Sequence, residues 1–219
     1  RLAPGLAIGA VPTRAPAHDV LLSRAGARGL AGLPAGARVG TASVRRRAQL
    51  LACRRDLAIV ALRGNVDTRL RRWRDGELDA LVLAAAGLVR LGIDEPEARP
   101  LSVDDVLPPV GQGALALECR TDDERTRALL APVEDPAAAT AVAAERAFLC
   151  ALGGDCATPI AAHATVGDGA VSLRVRVTDP DGRRVLDDHA SAPAAEADVL
   201  GRSLADRLLA AGAGELIGR

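Results

Sequence analysis

Eleven arginines fall between Arg38 and Arg74, in the stretch VGTASVRRRAQLLACRRDLAIVALRGNVDTRLRRWR and the residue just before it, against two acids, Asp56 and Asp67. The whole chain is balanced, with 28 basic and 28 acidic residues, so the excess is placed and not global. Every basic residue other than histidine is arginine, whose planar fork grips carboxylate or phosphate bidentately and stays charged. The chemistry expected of such a stretch is the holding of an anionic, polyvalent ligand; a solvated helix face is the plain alternative on charge alone. A second reactive feature lies far downstream, where Gly153-Gly154-Asp155-Cys156 puts a thiol on a glycine loop. The remaining cysteines, Cys53, Cys119 and Cys150, make no CxxC pair with it or with each other, and His18, His163 and His189 are scattered. No zinc site is expected from that pattern, and the thiols are expected to be reduced and mostly core residues.

These residues need elements to hold them, and the 219-residue chain has ample material for two or three small domains. Hydrophobic residues make up 49% and charged residues 26%, which is ordinary for a globular protein. No apolar run reaches the roughly 18 residues of a membrane helix, and no signal peptide opens the chain, so the expected location is cytoplasmic. Trp73 and Phe148 are the only aromatics, which argues against stacking on nucleic-acid bases. Methionine is absent even from position 1, which leads to the expectation of a processed or partial chain.

Taken in order, Leu2–Val11 reads as a strand, and 12–37 as a Gly/Pro-rich connector with one short element at Val20–Leu22. Val39 ends a strand, Ser43 or Thr41 caps a helix over 44–54, and Leu57–Leu62 reads as a strand buried on both faces. A helix over Val66–Arg74 stopped by Gly76, a strand over Asp79–Ala86 and a helical turn over Gly87–Gly92 complete an open parallel α/β unit. Such sheets bind ligands beyond the carboxyl ends of their strands, here Thr41–Ser43, Arg63–Asn65 and Ala86–Gly87. Residues 94–110 read as a loop, Ala114–Cys119 as a strand, and 122–131 as a helix with Thr121 and Glu124 as its capping box. Pro136 opens a long helix to about Leu152. Strands then follow at Ile160–Val166, at Val171–Val177 (half-buried by its alternation) and at Arg184–His189 after the turn Asp179-Pro180-Asp181-Gly182. A closing helix over Ala194–Ala211 makes 137–219 a separate α+β unit with an antiparallel sheet.

The segments GTASVRR (40–46), LRGNVDTR (62–69), AGLVRLG (86–92), Leu107–Gly113 with Ala114, AERA (144–147) and Gly153–Ile160 resemble, in order and spacing, the hydroxymethylbilane synthase (porphobilinogen deaminase) family. The resemblance implies an α/β fold of two periplasmic-binding-protein-like lobes, the first incomplete here, plus a C-terminal α+β domain with an antiparallel sheet. It assigns 1–17 and 110–134 to the first lobe, 18–109 to the second, and 135–219 to the C-terminal domain. It implies a transferase of tetrapyrrole (porphyrin, haem) biosynthesis, which joins four porphobilinogen units stepwise onto a dipyrromethane primer, losing ammonia each time. Hydrolysis then releases hydroxymethylbilane. Cys156 would carry the dipyrromethane through a thioether, and Ser43, Arg45, Arg46, Arg63, Arg69 and Arg90 would bind its carboxylates and the substrate's. Thr41, Asn65, Gly87 and Gln112 would line the site.

Guanidiniums hold charge but cannot serve as acids. Proton transfer to the leaving amine and stabilisation of the cationic azafulvene need a carboxylate. The family's aspartate sits in an HSxKDxP motif that this sequence lacks, and it is expected upstream of Arg1, leaving the 219 residues alone inactive. Asp19, Asp67 and Asp155 have no positional claim to replace it. Asp155 also departs from the glycine usual before the cysteine, which would raise the thiol's pKa slightly. The implied partner is porphobilinogen alone, taken by a monomer without nucleic acid or membrane. The alternatives are a non-catalytic anion- or ligand-binding module of the same two-lobed architecture, and an inactive fragment or homologue.

Overall fold

The computed structural model describes residues 2–154 and 158–218. The elements run β1 (Leu6–Ala10), β2 (Asp19–Ser23), β3 (Arg38–Gly40), α1 (Val44–Cys53), β4 (Ala58–Val60), α2 (Val66–Arg74), β5 (Ala80–Ala84) and α3 (Ala85–Leu91). They continue through β6 (Ala98–Pro100), β7 (Leu117–Arg120), α4 (Glu124–Leu130), α5 (Pro136–Leu152), β8 (Ile160–Gly167), β9 (Ala170–Thr178), β10 (Val185–Pro193), α6 (Ala197–Ala210) and α7 (Ala213–Leu216).

The central sheet has the order β4-β3-β5-β2-β6. Its β3–β4 and β3–β5 pairs are parallel, as the strand–helix alternation requires, but β2 runs antiparallel to both β5 and β6. The sheet is therefore mixed, not purely parallel, because residues 12–37 supply a fully buried strand and 94–110 supply an edge strand at Ala98–Pro100. Leu57–Leu62 also differs from expectation. Its strand is three residues long at the other edge with Ala58 exposed and Ile59 and Val60 half-buried, and it is the flanking Leu57 and Leu62 that are fully in the core. Leu21, Val39, Leu50, Val82 and Val106 pack on one face and Leu22, Leu62, Leu70, Trp73 and Leu83 on the other, giving three layers.

Local chemistry sets the helix ends. Ser43 Oγ accepts from Arg46 N and Asn65 Oδ1 from Thr68 N, capping α1 and α2, while Arg71, Arg72 and Arg74 in the last turn of α2 complement its dipole. Asp135 accepts from Ala137 N and Ala138 N ahead of Pro136, and Gly153 at φ +72° closes α5. The expected capping box at Thr121 is replaced by Asp123, whose carboxylate accepts from Thr126 N and so caps the helix two residues beyond the predicted position. Helix α3 starts at Ala85, directly after β5, earlier than the expected Gly87.

The C-terminal sheet is antiparallel in the order β10-β9-β8. One face meets α5 and α6 through Phe148, Leu152, Leu173, Val175, Leu204 and Leu208. Each such side chain fully buried is worth roughly 1.5–3 kcal/mol. Strand β9 is more buried than its alternation predicts, because Arg176, on its polar face, is 7% exposed. The thiols also depart from a core role: Cys119 is buried, but Cys53 and Cys150 are exposed. A small ribbon, β1 paired antiparallel with β7, joins α5 through Val11, Ala138 and Val142.

Candidate functional site

Asp19 pairs with Ala84 across the sheet, so the start of antiparallel β2 lies at the carboxyl ends of β3, β4 and β5. The first turn of α1 rises from that same end, since Thr41 N donates to Val60 O (3.0 Å) and Thr41 Oγ1 accepts from Ser43 N (3.2 Å). Arg45 and Arg46 are turned inward from it. Arg45 Nη2 meets Asp19 Oδ2 at 2.7 Å and its Nη1 donates to Leu107 O at 2.6 Å. Arg46 grips the same carboxylate with Nε (3.1 Å) and Nη2 (2.8 Å), and Gln112 Nε2 donates to Asp19 Oδ1 at 2.8 Å. Asp19 is wholly buried, and Arg45 and Arg46 are 4% and 8% exposed.

The cluster holds two cations against one carboxylate, in surroundings where charges are poorly screened. Burial alone would raise the Asp19 carboxyl, yet Arg45 and Arg46 outweigh it and hold the group below the ordinary carboxylate range. Burial pushes the Arg45 guanidinium downward, Asp19 pulls it back, and Arg46 opposes it as a like charge. Burial and the charge of Arg46 also lower Arg69, on α2. The Nε atoms of Arg45 and Arg69 are buried with no hydrogen-bond partner among the described residues.

Of the predicted site residues, Arg45, Arg46 and Gln112 share one hydrogen-bonded cluster, with Thr41 and Ser43 at its rim and Arg69 in electrostatic reach. Arg90 donates through Nη2 to Gly113 O at 2.8 Å, next to Gln112. Arg63 is exposed and makes no hydrogen bond or ion pair among the described residues, while Asn65 is occupied as the cap of α2. Gly87 packs near Val66, where an added Cβ would make an ordinary 3.6 Å contact, so close approach does not demand glycine there. Gly113 does demand it: φ is +82° and a Cβ would lie 2.2 Å from Ala15 O. Cys156 and Asp155 lie outside the described residues. Their flanks, however, reach this site: Leu149, Thr158 and Ile160 share a cleft of about 100 Å³ with Ser43, Arg45, Pro109 and Val110. A larger cleft of about 660 Å³ lies along the polar face of the C-terminal sheet, beside His163 and His189 and away from the arginine cluster.

Sequence reasoning missed two acids. Asp19, set aside only as a replacement for the family's acid, is the centre of the arginine cluster; the signal, an acid opening the apolar run Val20–Leu22, says nothing of which end of the sheet it reaches. Glu145 sits in a quoted motif with no role assigned. It is wholly buried on α5 and accepts from Arg14 Nη1 (2.7 Å) and Nη2 (3.1 Å), Gly111 N (2.7 Å) and Ala164 N (2.8 Å). It thus ties the Gly111–Gly113 turn and β8 to the segment before β2. Burial raises its carboxyl, and Arg14 offsets this only in part.

Fold and site together define an α/β protein with guanidiniums gathered at the strand ends, a class built to hold anionic ligands. The description "Porphobilinogen deaminase, dipyromethane cofactor binding domain" matches residues 1–128, and "Porphobilinogen deaminase, C-terminal domain" matches residues 139–210. A porphobilinogen deaminase of Syntrophotalea carbinolica is 49% identical over 216 residues, covering 99% of this chain and 68% of its own length. One from Brevibacillus brevis is 48% identical over 214 residues, covering 97% of this chain and 68% of its own. The chain belongs to the porphobilinogen deaminase family. An arginine-specific periplasmic binding protein of Salmonella typhimurium aligns over 59% of each chain at 18% identity and a TM-score of 0.34, a likeness that carries no argument. The donor set fits the family's cofactor. A carboxylate-rich group needs spare cationic donors, and among the described residues Arg45 Nε, Arg69 Nε and the Arg63 side chain have no partner.

Proposed function

We propose that this chain forms the cofactor-carrying and carboxylate-gripping part of a hydroxymethylbilane synthase, a transferase of tetrapyrrole biosynthesis that polymerises porphobilinogen with loss of ammonia. The observation that supports this most is the shared cleft, in which the flanks of the Cys156 loop meet the head of α1. In this reading Cys156 carries the dipyrromethane, with Arg45, Arg46, Arg63, Arg69 and Arg90 holding carboxylates and Thr41, Ser43, Asn65, Gly87 and Gln112 lining the site. The cofactor supplies the pyrrole carbon to which the first substrate unit is joined. The chain's own residues do the rest of the holding: fixed guanidiniums neutralise carboxylates without releasing protons. Asp19 is a poor acid, since its oxygens are engaged by Arg45, Arg46 and Gln112 and its pKa is held low. It orients the arginine pair, and proton delivery to the leaving amine falls to a carboxylate outside that cluster. The reading divides the chain into 1–17 with 110–134, 18–109 and 135–219, and takes the working protein as a cytoplasmic monomer with a small-molecule substrate and no nucleic acid. Among the described residues no helix is long and apolar enough to cross a membrane.

Intact-mass and peptide mass spectrometry of the protein made in a haem-competent host test this. The expected result is a dipyrromethane adduct on the peptide containing Cys156; an unmodified Cys156 would sink the reading.

A further inference from the structure

Helix α1 carries Ser43, Arg45 and Arg46 in its first turn, and its outer side is gripped from the C-terminal sheet. The turn between β9 and β10 lies against it. Gly182 is buried there at φ +70°, and a Cβ would stand 2.3 Å from Ala48 O and 2.5 Å from Ala52 N. Only a residue without a side chain lets the tip seat at this depth. Three hydrogen bonds from α1 and the turn after it surround the contact: Arg47 Nη2 to Asp181 Oδ1 (2.8 Å), Arg47 Nε to Pro180 O (3.3 Å) and Arg55 Nη2 to Gly182 O (3.3 Å). The tip is also braced from within, because Asp179 accepts from Asp181 N at 2.8 Å and from Arg184 N.

A second grip lies on the same helix face. Arg176 of β9 donates to Gln49 Oε1 at 2.9 Å while held by Asp187 at 2.6 and 2.7 Å. Gln49 in turn exchanges hydrogen bonds with Leu107 N (2.8 Å) and O (3.0 Å), the carbonyl that also receives Arg45. The unit that grips α1 is also the one whose Leu149, Thr158 and Ile160 line the cleft with Ser43 and Arg45.

We propose that the β9–β10 tip is a positioning device, in which Gly182 seated on α1 sets the distance between the cofactor tether and the guanidiniums at the head of the helix. Gly182, Asp181 and Arg176 are positioning residues, since none touches a reacting atom. The contact sets backbone against backbone and is flanked by three hydrogen bonds, which suits the tight tolerance that holding a site requires. The proposal rests on the reading of Cys156 as the tether.

The test compares the wild-type protein, made in a host that synthesises porphobilinogen, with Gly182→Ala and with the double variant Arg47→Ala/Arg55→Ala. The double variant removes the hydrogen bonds from exposed residues of α1 and of the turn after it, and leaves the hairpin's own sequence unchanged. Hydrogen exchange over 44–53 and the intact-mass share of cofactor-loaded molecules are read in each. Gly182→Ala is expected to speed exchange over 44–53 about tenfold, leave β8 unchanged, and cut the loaded share at least about threefold. The double variant should move both readouts the same way by less. Wild-type exchange over 44–53 in both variants, or faster exchange with wild-type loading, would overturn the proposal. Should the wild type itself carry no adduct, the tether reading falls, and the exchange arm alone decides whether the tip holds α1.

Discussion

Two wholly buried carboxylates, Asp19 and Glu145, face opposite electrostatic outcomes within one chain. Both pay for desolvation. Asp19 meets two guanidiniums and a side-chain amide, and its pKa is lowered. Glu145 meets one guanidinium and two backbone N–H groups, and its pKa is raised. The count of full positive charges within contact decides the sign, because a backbone dipole offsets less of the desolvation than a cation does. The consequence is functional. The Asp19 cluster keeps a surplus cation and partnerless donors and so suits an anionic ligand, whereas the Arg14–Glu145 cluster is charge-neutral and serves as a clamp.

The largest expected effect that sharpens this contrast comes from deleting each acid. Asp19→Ala strands two buried guanidiniums and should cost about 3–5 kcal/mol of unfolding free energy, more than Glu145→Ala, which strands one cation and two amides. Urea unfolding of both would settle it, and a larger loss for Glu145→Ala would break the comparison.

A finer effect lies in pH dependence. The lowered pKa of Asp19 means its contribution is present above the ordinary carboxylate range and lost as pH falls through the folded value, so the wild-type advantage over Asp19→Asn should shrink on acidification below about pH 4. The raised pKa of Glu145 has the opposite sign. Its contribution is present below its ordinary value and lost as pH rises, so the wild-type advantage over Glu145→Gln should shrink above about pH 4.5. Parallel stability curves for the two pairs would contradict the opposed signs.

The smallest effect concerns His163, lowered to about 4 by burial, with Arg14 and His18 adding to it. The unfolded chain binds that proton first, so stability should fall as pH drops from about 6.5 to about 4. His163→Gln should flatten that limb of a thermal-melt series, and an unchanged slope would remove His163 from the account.

Much of this was legible in the residues. The arginine run, the helices of 44–54 (with Ser43 or Thr41 as its cap) and 66–74, the 136–152 helix and the antiparallel C-terminal sheet all follow from local period and capping chemistry, and the ordered motifs carried the family; the cap that Asn65 provides did not. What local pattern cannot carry is strand direction and the partner of a charge. Because β2 enters antiparallel, Asp19 reaches the ligand end of the sheet and turns Arg45 and Arg46 from outward claws into an internally braced pair. Gly182 reads as an ordinary turn residue, yet it is required by the helix it touches across 134 positions of chain from Ala48. The arginine stretch is determined by sequence because its composition is local; its geometry was decided only in three dimensions, because a buried cation is placed by the carboxylate and carbonyl that the fold brings to it.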